Sequence, residues 1–130
     1  MTIPKLALML VCLAPVTLGP KEAPKDAKVT TLFSKDLPDA PGKEGLMLTV
    51  EYPPGSSDPV HRRNADAFVY VLEGSIVMQV RGGKEMTLTP GQTYYEGPSD
   101  VHVVGRNASQ TKPLAERQKS LRGVNNECIF

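Results

Sequence analysis

Regular alternation of apolar and polar residues begins near residue 45 and predicts a chain built from short strands. Leu46, Leu48 and Val50 share one face of the first such segment, which is typical of a strand with one side buried. In segment 67–80, the runs Phe-Val-Tyr-Val-Leu and Ile-Val-Met-Gln-Val flank Glu-Gly-Ser, and this pattern predicts a β-hairpin. Further short strands are predicted at 86–89, 93–95 and 101–104.

Composition agrees with a fold that has many turns. Twelve Pro and eleven Gly among 130 residues suit the corners between short strands. About six strands, with turn signals roughly every eight to twelve residues, favour an antiparallel sandwich or barrel, so the predicted fold class is all-β. Fifteen Lys and Arg against fourteen Asp and Glu leave a formal charge of +1. A charge this small provides no basic surface, so neither nucleic acid nor a membrane surface is an expected partner.

The N-terminal part of the chain differs from this β-rich centre. Residues 1–19 combine Lys5 with an apolar run and are predicted to be a secretory signal peptide, with an apolar strand or a buried helix as the alternative. The protein is then expected to be secreted or periplasmic, with no membrane association once the signal is removed. Residues 20–44 are rich in Lys, Asp and Pro and predict an extended lead-in, in which 29–33 is a candidate edge strand.

Both histidines of the chain lie at fixed spacings from glycines, in patterns that resemble two known sequence motifs. One frame is Gly, five residues, His-x-His, three or four residues, Glu, six residues, Gly. It fits at Gly55, His61 and Gly74. Gly91 and His102 are separated as in a second frame, Gly, five residues, Pro-x-Gly, two residues, His. Together with phrases such as Tyr-Val-Leu-Glu-Gly, these frames resemble the two motifs of the cupin superfamily over residues 45–113.

Similarity to this family, and in particular to its small, exported, quercetin-dioxygenase-like members, implies a jelly-roll β-barrel formed by residues 45–113. In that barrel, two His and one Glu of the first motif and one His of the second hold a divalent metal, commonly iron, manganese, nickel or zinc. His61 and His102 occupy two of these four positions in this chain. Arg63 and Ala67 occupy the other two.

The two departures change the expected chemistry. Residues i and i+2 of a strand share a face, so Arg63 is expected to point inward with His61. A guanidinium about 5 Å from a dication would repel it by roughly 6 to 7 kcal/mol at an effective dielectric near 20, so the metal is expected to be weakly held or absent. Glu96 is a candidate to supply the missing carboxylate. The alternative is that Arg63 lies on the surface and pairs with Asp66.

The C-terminal segment 114–130 is a further departure from the family pattern. An apolar strand is expected there, but the sequence lacks alternation, and its composition predicts a short helix or a disordered tail. The barrel would then lack its last strand. Because an unpaired sheet edge invites pairing with another chain, a homodimer through that edge is one expected consequence.

Two functions fit these expectations. The first is a cupin with a degenerate metal site that binds a small, anionic molecule in the mouth of the barrel, since a guanidinium binds carboxylate or phosphate well. Its ligand-binding residues would be Arg63, Tyr95, His61 and His102. The second is a metal-dependent dioxygenase of the quercetin-dioxygenase-like type, with His61 and His102 as metal ligands and Glu96 or water completing the coordination. Whether the protein is an enzyme stays open at this point.

Overall fold

The computed structural model describes residues 26–123 and 128–129. The predicted signal peptide at 1–19 and the first residues of the lead-in lie outside the described residues. Ten strands occur in the described part of the chain. They are β1 (Lys28–Asp36), β2 (Lys43–Tyr52), β3 (His61–Arg63), β4 (Ala65–Glu73), β5 (Ile76–Val80), β6 (Met86–Leu88), β7 (Thr93–Glu96), β8 (Val101–Asn107), β9 (Leu114–Gly123) and β10 (Cys128–Ile129).

These strands form two five-stranded antiparallel sheets. Sheet A has the order β1-β2-β9-β4-β7, and sheet B has the order β10-β3-β8-β5-β6. The predicted all-β class is confirmed, and the two-sheet arrangement is consistent with a jelly roll. The described residues form no helix, and hence none that is long and apolar enough to cross a membrane.

The hairpin of β4 and β5 supplies the centre of the apolar core, as its sequence predicts. Val69 and Val71 of β4 and Ile76 and Met78 of β5 are buried between the sheets. Four more buried residues belong to the same apolar cluster. They are Val50, Tyr52, Leu88 and Leu114. Removing these side chains from water is the main favourable contribution to the stability of the sandwich.

The predicted edge strand in the lead-in is confirmed. β1 lies at the end of sheet A and pairs with β2 alone among the described strands. Every residue of β1 is exposed, including Val29, Leu32 and Phe33. The strand is therefore held mainly by its backbone hydrogen bonds to β2.

The helix or disordered tail predicted for residues 114–130 is wrong for the described residues of this segment. Residues 114–123 form β9, a ten-residue strand in the middle of sheet A that pairs with β2 on one side and β4 on the other. Its buried positions include Glu116 and Gln118, while Arg117 and Lys119 are exposed. Because both faces of the strand are largely polar, it shows no alternation of apolar and polar residues. The last strand of the family pattern is therefore present, and the open sheet edge that its loss would have created does not arise.

A bulge in β8 sets the direction of its side chains. Gln79 of β5 pairs with Val104, but the next residue of β5 pairs with His102, so Val103 is an extra residue in β8. The bulge interrupts the two-residue period of the strand, and the buried positions are His102, Gly105 and Asn107. Bulges of this kind redirect side chains next to functional sites.

Candidate functional site

The two histidines of the chain lie side by side between the sheets. His61 of β3 is directly opposite His102 of β8 in the strand register. Their ring centroids are 5.0 Å apart, with the ring planes at 32°. Both residues are buried, at 5% and 4% exposure. The structure therefore brings together the two residues that the motif spacings single out.

Both ring nitrogens of His102 face oxygen atoms of the protein. Nε2 lies 2.6 Å from the carbonyl oxygen of Val104, and Nδ1 lies 2.8 Å from Oε1 of Glu96. A carbonyl oxygen only accepts hydrogen bonds, so Nε2 carries a proton. The contact of Nδ1 with Glu96 has the length of an ion pair between a protonated imidazole and a carboxylate. When His102 is protonated, each of its ring N–H groups therefore faces an oxygen atom, and Glu96 supplies the opposite charge.

Electrostatics support an ionised His102–Glu96 pair. Burial alone would lower the pKa of His102, but Glu96 and the Val104 carbonyl outweigh burial and raise this pKa above its ordinary value. Burial alone would raise the pKa of Glu96, but His102, and after it Arg63, lower this pKa below its ordinary value. Each partner therefore stabilises the charged form of the other.

Glu96 reaches this position from a neighbouring strand. In the register of β4 and β7, Glu96 lies directly opposite Ala67, the position at which the family pattern expects a carboxylate. Ala67 is fully buried, and Glu96 is 6% exposed. A carboxylate is therefore present close to the expected place, but it contacts the ring of His102.

Arg63 points into the interior, as the strand period predicts. It lies on the same face of β3 as His61, whereas Arg62 between them is exposed. Its guanidinium NH1 donates a hydrogen bond to Oε1 of Gln118 on β9, across the space between the sheets. Arg63 is half-buried, so part of this residue is still reached by solvent.

A second buried carboxyl follows Gln118. Nε2 of Gln118 donates to Oε1 of Glu116 at 2.6 Å, and Glu116 is 0% exposed. Burial is the largest influence on this group and raises the pKa of Glu116 to about 7. The hydrogen bond from Gln118 opposes that shift. We refer to the group formed by His61, Arg63, Glu96, His102, Glu116 and Gln118 as the polar cluster.

Glu116 and Gln118 are absent from the sequence-based prediction of the site. The segment that contains them was expected to be a helix or disordered. One signal was available, because Glu116 and Gln118 are two residues apart and would share a face if the segment were a strand. The sequence pattern lacked the apolar partners that would have identified the strand.

Among the predicted ligand-binding residues, Tyr95 is the one that the structure does not bring to the polar cluster. It lies on the outer face of sheet A, where it is 52% exposed. Its hydroxyl donates to Oδ1 of Asp66 at 2.6 Å, and its ring packs against Phe68 with centroids 5.3 Å apart. Consecutive strand residues face opposite sides, so Glu96 turns inward while Tyr95 turns outward. The alternative surface pair of Arg63 with Asp66 is also not formed.

The residues present do not fit the metal that the family implies. Among the described residues, no group of three His, Cys, Asp or Glu side chains is arranged to hold a metal ion. Both ring nitrogens of His102 are taken up by protein oxygen atoms, Nε2 by the Val104 carbonyl and Nδ1 by Glu96, so neither is directed at an open coordination position. The guanidinium of Arg63 adds a positive charge where a metal ligand is expected, and Ala67 offers no donor atom.

Comparison with known proteins identifies the family. A family model described as a cupin domain matches residues 48–115, just over half of the 130-residue chain. No curated protein sequence matches the chain significantly.

Solved structures share the fold at low sequence identity. A cupin domain from Bordetella pertussis Tohama I is 18% identical with a TM-score of 0.61, and the match covers 79% of this chain and 100% of that one. The DMSP lyase DddQ from Ruegeria pomeroyi DSS-3 is 17% identical with a TM-score of 0.60, over 66% of this chain and 42% of the lyase. Recombinant oxalate oxidase in complex with glycolate is 22% identical with a TM-score of 0.62, over 86% of this chain and 58% of the oxidase.

The chain thus spans less than half of the lyase and under two thirds of the oxidase. At these identities, the likeness establishes the fold and not the activity. The match of the family model to residues 48–115, on a two-sheet fold with both motif histidines opposite each other, shows that this chain belongs to the cupin family.

Proposed function

We propose that this cupin binds a small, anionic molecule at the polar cluster and does so without a metal. The observation that carries the proposal is the state of His102, whose ring nitrogens contact Glu96 at 2.8 Å and the Val104 carbonyl at 2.6 Å. These contacts take up both nitrogens that could bind a metal, and the raised pKa of His102 favours its positive form in the polar cluster that contains Arg63. The motif positions that have lost their metal ligands would then serve to bind an anion, where the family pattern binds a cation.

Arg63 is the group that would contact the anion. A guanidinium has five N–H donors in a planar fork that matches carboxylate and phosphate oxygens. One donor goes to the neutral amide of Gln118. The charge of Glu96 is offset by His102, and Asp58 accepts a hydrogen bond from the Tyr52 hydroxyl at 2.6 Å. Arg63 is charged and half-buried, so it attracts an anion more strongly than it would in open water, against the opposing charges of Asp58 and of Glu116 when that group is ionised.

The experiment compares two neighbouring arginines. Arg63→Gln removes the inward guanidinium, and the matched control Arg62→Gln removes the exposed one beside it. Thermal unfolding is measured with glycolate, oxalate and inorganic phosphate at equal ionic strength. We expect at least one of these anions to raise the Tm of the wild type and of Arg62→Gln, and not that of Arg63→Gln. No shift with any of the three, or equal shifts in both variants, would contradict the proposal.

A metal-dependent dioxygenase remains a weaker proposal. It needs His61 and His102 as ligands, with Glu96 or water beside them, but the oxygen partners of both His102 nitrogens and the charge of Arg63 oppose that arrangement. No contact among the described residues favours it.

Export and self-association are also proposals. The apolar run within residues 1–19 supports a secreted or periplasmic location.

For a homodimer, the support comes from β1, whose residues are all exposed at the end of sheet A. Two copies related by a twofold axis could pair their β1 strands. Sedimentation analysis should then give a dimer that Val29→Pro dissociates, and a monomer at all concentrations would contradict this proposal.

A further inference from the structure

Glu116 is a fully buried carboxyl group with one oxygen left over. Oε1 accepts a hydrogen bond from Gln118, but Oε2 has no hydrogen-bond partner among the described residues. Leaving a buried polar atom unsatisfied is costly, because the atom gives up its hydrogen bonds to water and gains none in the protein. A polar atom kept in this state calls for a partner from outside the chain or for a bound water.

The surroundings of Glu116 explain why its carboxyl group lies at the base of the polar cluster. Its backbone partners in the sheet are Val50 of β2 and Val71 of β4, and both belong to the apolar cluster. The charged and titratable groups near it come from the other strands and from one loop. They are Tyr52, Asp58, Arg63 and Glu96. Glu116 thus stands where the apolar interior meets the polar interior.

The buried face of β9 connects this carboxyl group to Arg63. Ser120 is half-buried, Gln118 is nearly buried and Glu116 is fully buried, so depth increases along the strand. Arg63 donates to one end of the Gln118 amide, and Glu116 accepts from the other end. The path from Nη1 of Arg63 to Oε1 of Glu116 consists of two hydrogen bonds and the width of one amide group. These two atoms are therefore about 7 to 8 Å apart at most.

We propose that Glu116 is a specificity-determining residue whose second carboxyl oxygen binds the hydroxyl group of a small hydroxy acid while Arg63 binds its carboxylate. This inference rests on the proposed function, because it requires an anion at Arg63. It adds that the ligand carries a hydroxyl group within a few bonds of its charge. A short hydroxy acid with a hydrogen bond at each end spans the separation between the two groups.

A hydroxyl group suits this position better than other polar groups. A hydroxyl both donates and accepts a hydrogen bond, so it pairs with the carboxyl group in either protonation state. That freedom matters because burial brings the pKa of Glu116 to about 7, where both states are populated near neutral pH. A second carboxylate on the ligand would instead be repelled by the ionised form of Glu116.

The test compares acids that differ by one hydroxyl group. The dissociation constants of lactate and propionate, and of glycolate and acetate, are measured by calorimetry at pH 7. The wild type should prefer each hydroxy acid by about tenfold, the effect of one net hydrogen bond. Glu116→Leu should lose this preference and keep its affinity for propionate, whereas Glu116→Gln should retain part of it. Glu73→Leu, which changes an exposed carboxyl group at the end of β4, should behave as the wild type.

Each outcome separates the inference from the function on which it rests. If Arg63→Gln abolishes binding of all four acids but Glu116→Leu keeps the hydroxyl preference, anion binding stands and the role of Glu116 is refuted. The same holds if the wild type binds lactate and propionate equally, which would mean that a structural water satisfies Oε2. If none of the four acids binds the wild type, the role of Glu116 is refuted, and anion binding at Arg63 is overturned with it only if oxalate and inorganic phosphate also fail to raise the Tm.

Discussion

The space between the two sheets is divided into an apolar half and a polar half, and the same strands build both. β4 places Val69 and Val71 in the apolar half and the small residue Ala67 beside the polar cluster. β9 changes from Leu114 to Glu116 and Gln118 as it passes from one half to the other. The apolar half is the kind of interior that stabilises a β-sandwich, whereas the polar half contains groups that are expensive to bury.

The two halves differ in how well the requirements of folding account for their side chains. Apolar side chains in the polar half would stabilise the fold at least as well as the ion pair and amide bridge found there. The polar half is therefore the part of the interior that folding alone does not account for, and it is where we propose that an anion binds.

The largest effect is expected in the apolar half. Met78 is fully buried, so Met78→Ala should leave a cavity and lower the free energy of unfolding by about 2 to 5 kcal/mol. The exposed Tyr70 provides the control, and Tyr70→Ala should change stability by about 1 kcal/mol or less. Chemical denaturation measures both. A loss below about 1 kcal/mol for Met78→Ala would mean that this half is not the stabilising one.

The pH dependence of stability tests the burial of Glu116. Its pKa rises from an ordinary 4.5 to about 7 on folding, so the folded state holds the proton more tightly. The contribution of Glu116 to the free energy of unfolding is therefore fully present below pH 4.5 and is lost as the pH rises through about 7. Glu116→Gln cannot titrate and should be more stable than the wild type at pH 8, by about 1 to 3 kcal/mol. Parallel stability curves for the two proteins would refute this account.

Removing one partner tests the ion pair. Glu96 has a lowered pKa, so its contribution exists above pH 4.5 and is lost as the pH falls through its folded value. His102 has a raised pKa, so its contribution exists below pH 6.5 and is lost as the pH rises through its folded value. Glu96→Gln should therefore destabilise the protein most between these limits, near pH 5.5, by about 1 to 3 kcal/mol. An NMR titration should show the pKa of His102 falling in the variant, and an unchanged value would refute the pairing.

The bulge in β8 makes the position of His102 depend on Gly105. A Cβ atom at residue 105 would lie 2.5 Å from Nε2 of His102 and 3.0 Å from Oδ2 of Asp58. Gly105→Ala should therefore displace the imidazole and cost about 1 to 2 kcal/mol. Gly45→Ala is the control, because its Cβ would meet Leu37 at an ordinary 3.7 Å. Unchanged His102 ring signals in Gly105→Ala would show that the ring does not lie over this glycine.

The apolar half was largely predictable from the sequence, and the polar half only in part. The hairpin of β4 and β5 follows from β-rich runs around Gly74, because burial of alternate residues leaves a clear periodic pattern. The positions of His61 and His102 follow from their spacing to glycines. Arg63 follows from the period of β3.

The site features that the sequence did not predict depend on contacts between segments that are distant along the chain. Glu116 and Gln118 were missed because a strand with two polar faces has no apolar period. The contact of Glu96 with His102 depends on the register of β7 against β4 and on the bulge at Val103, and neither leaves a local sequence signal. Tyr95 was placed in the site because nothing in the sequence shows which of two adjacent tyrosines faces inward.

The central claim is that the histidine pair of this cupin does not hold a metal, and metal content tests it most directly. The purified protein is saturated in turn with manganese, iron, nickel and zinc, desalted and analysed for bound metal, with Arg63→His/Ala67→Glu as a variant that restores the family ligands. The account predicts well below one equivalent in the wild type and a gain in the restored variant. About one equivalent of metal in the wild type, lost in His61→Ala, would contradict it.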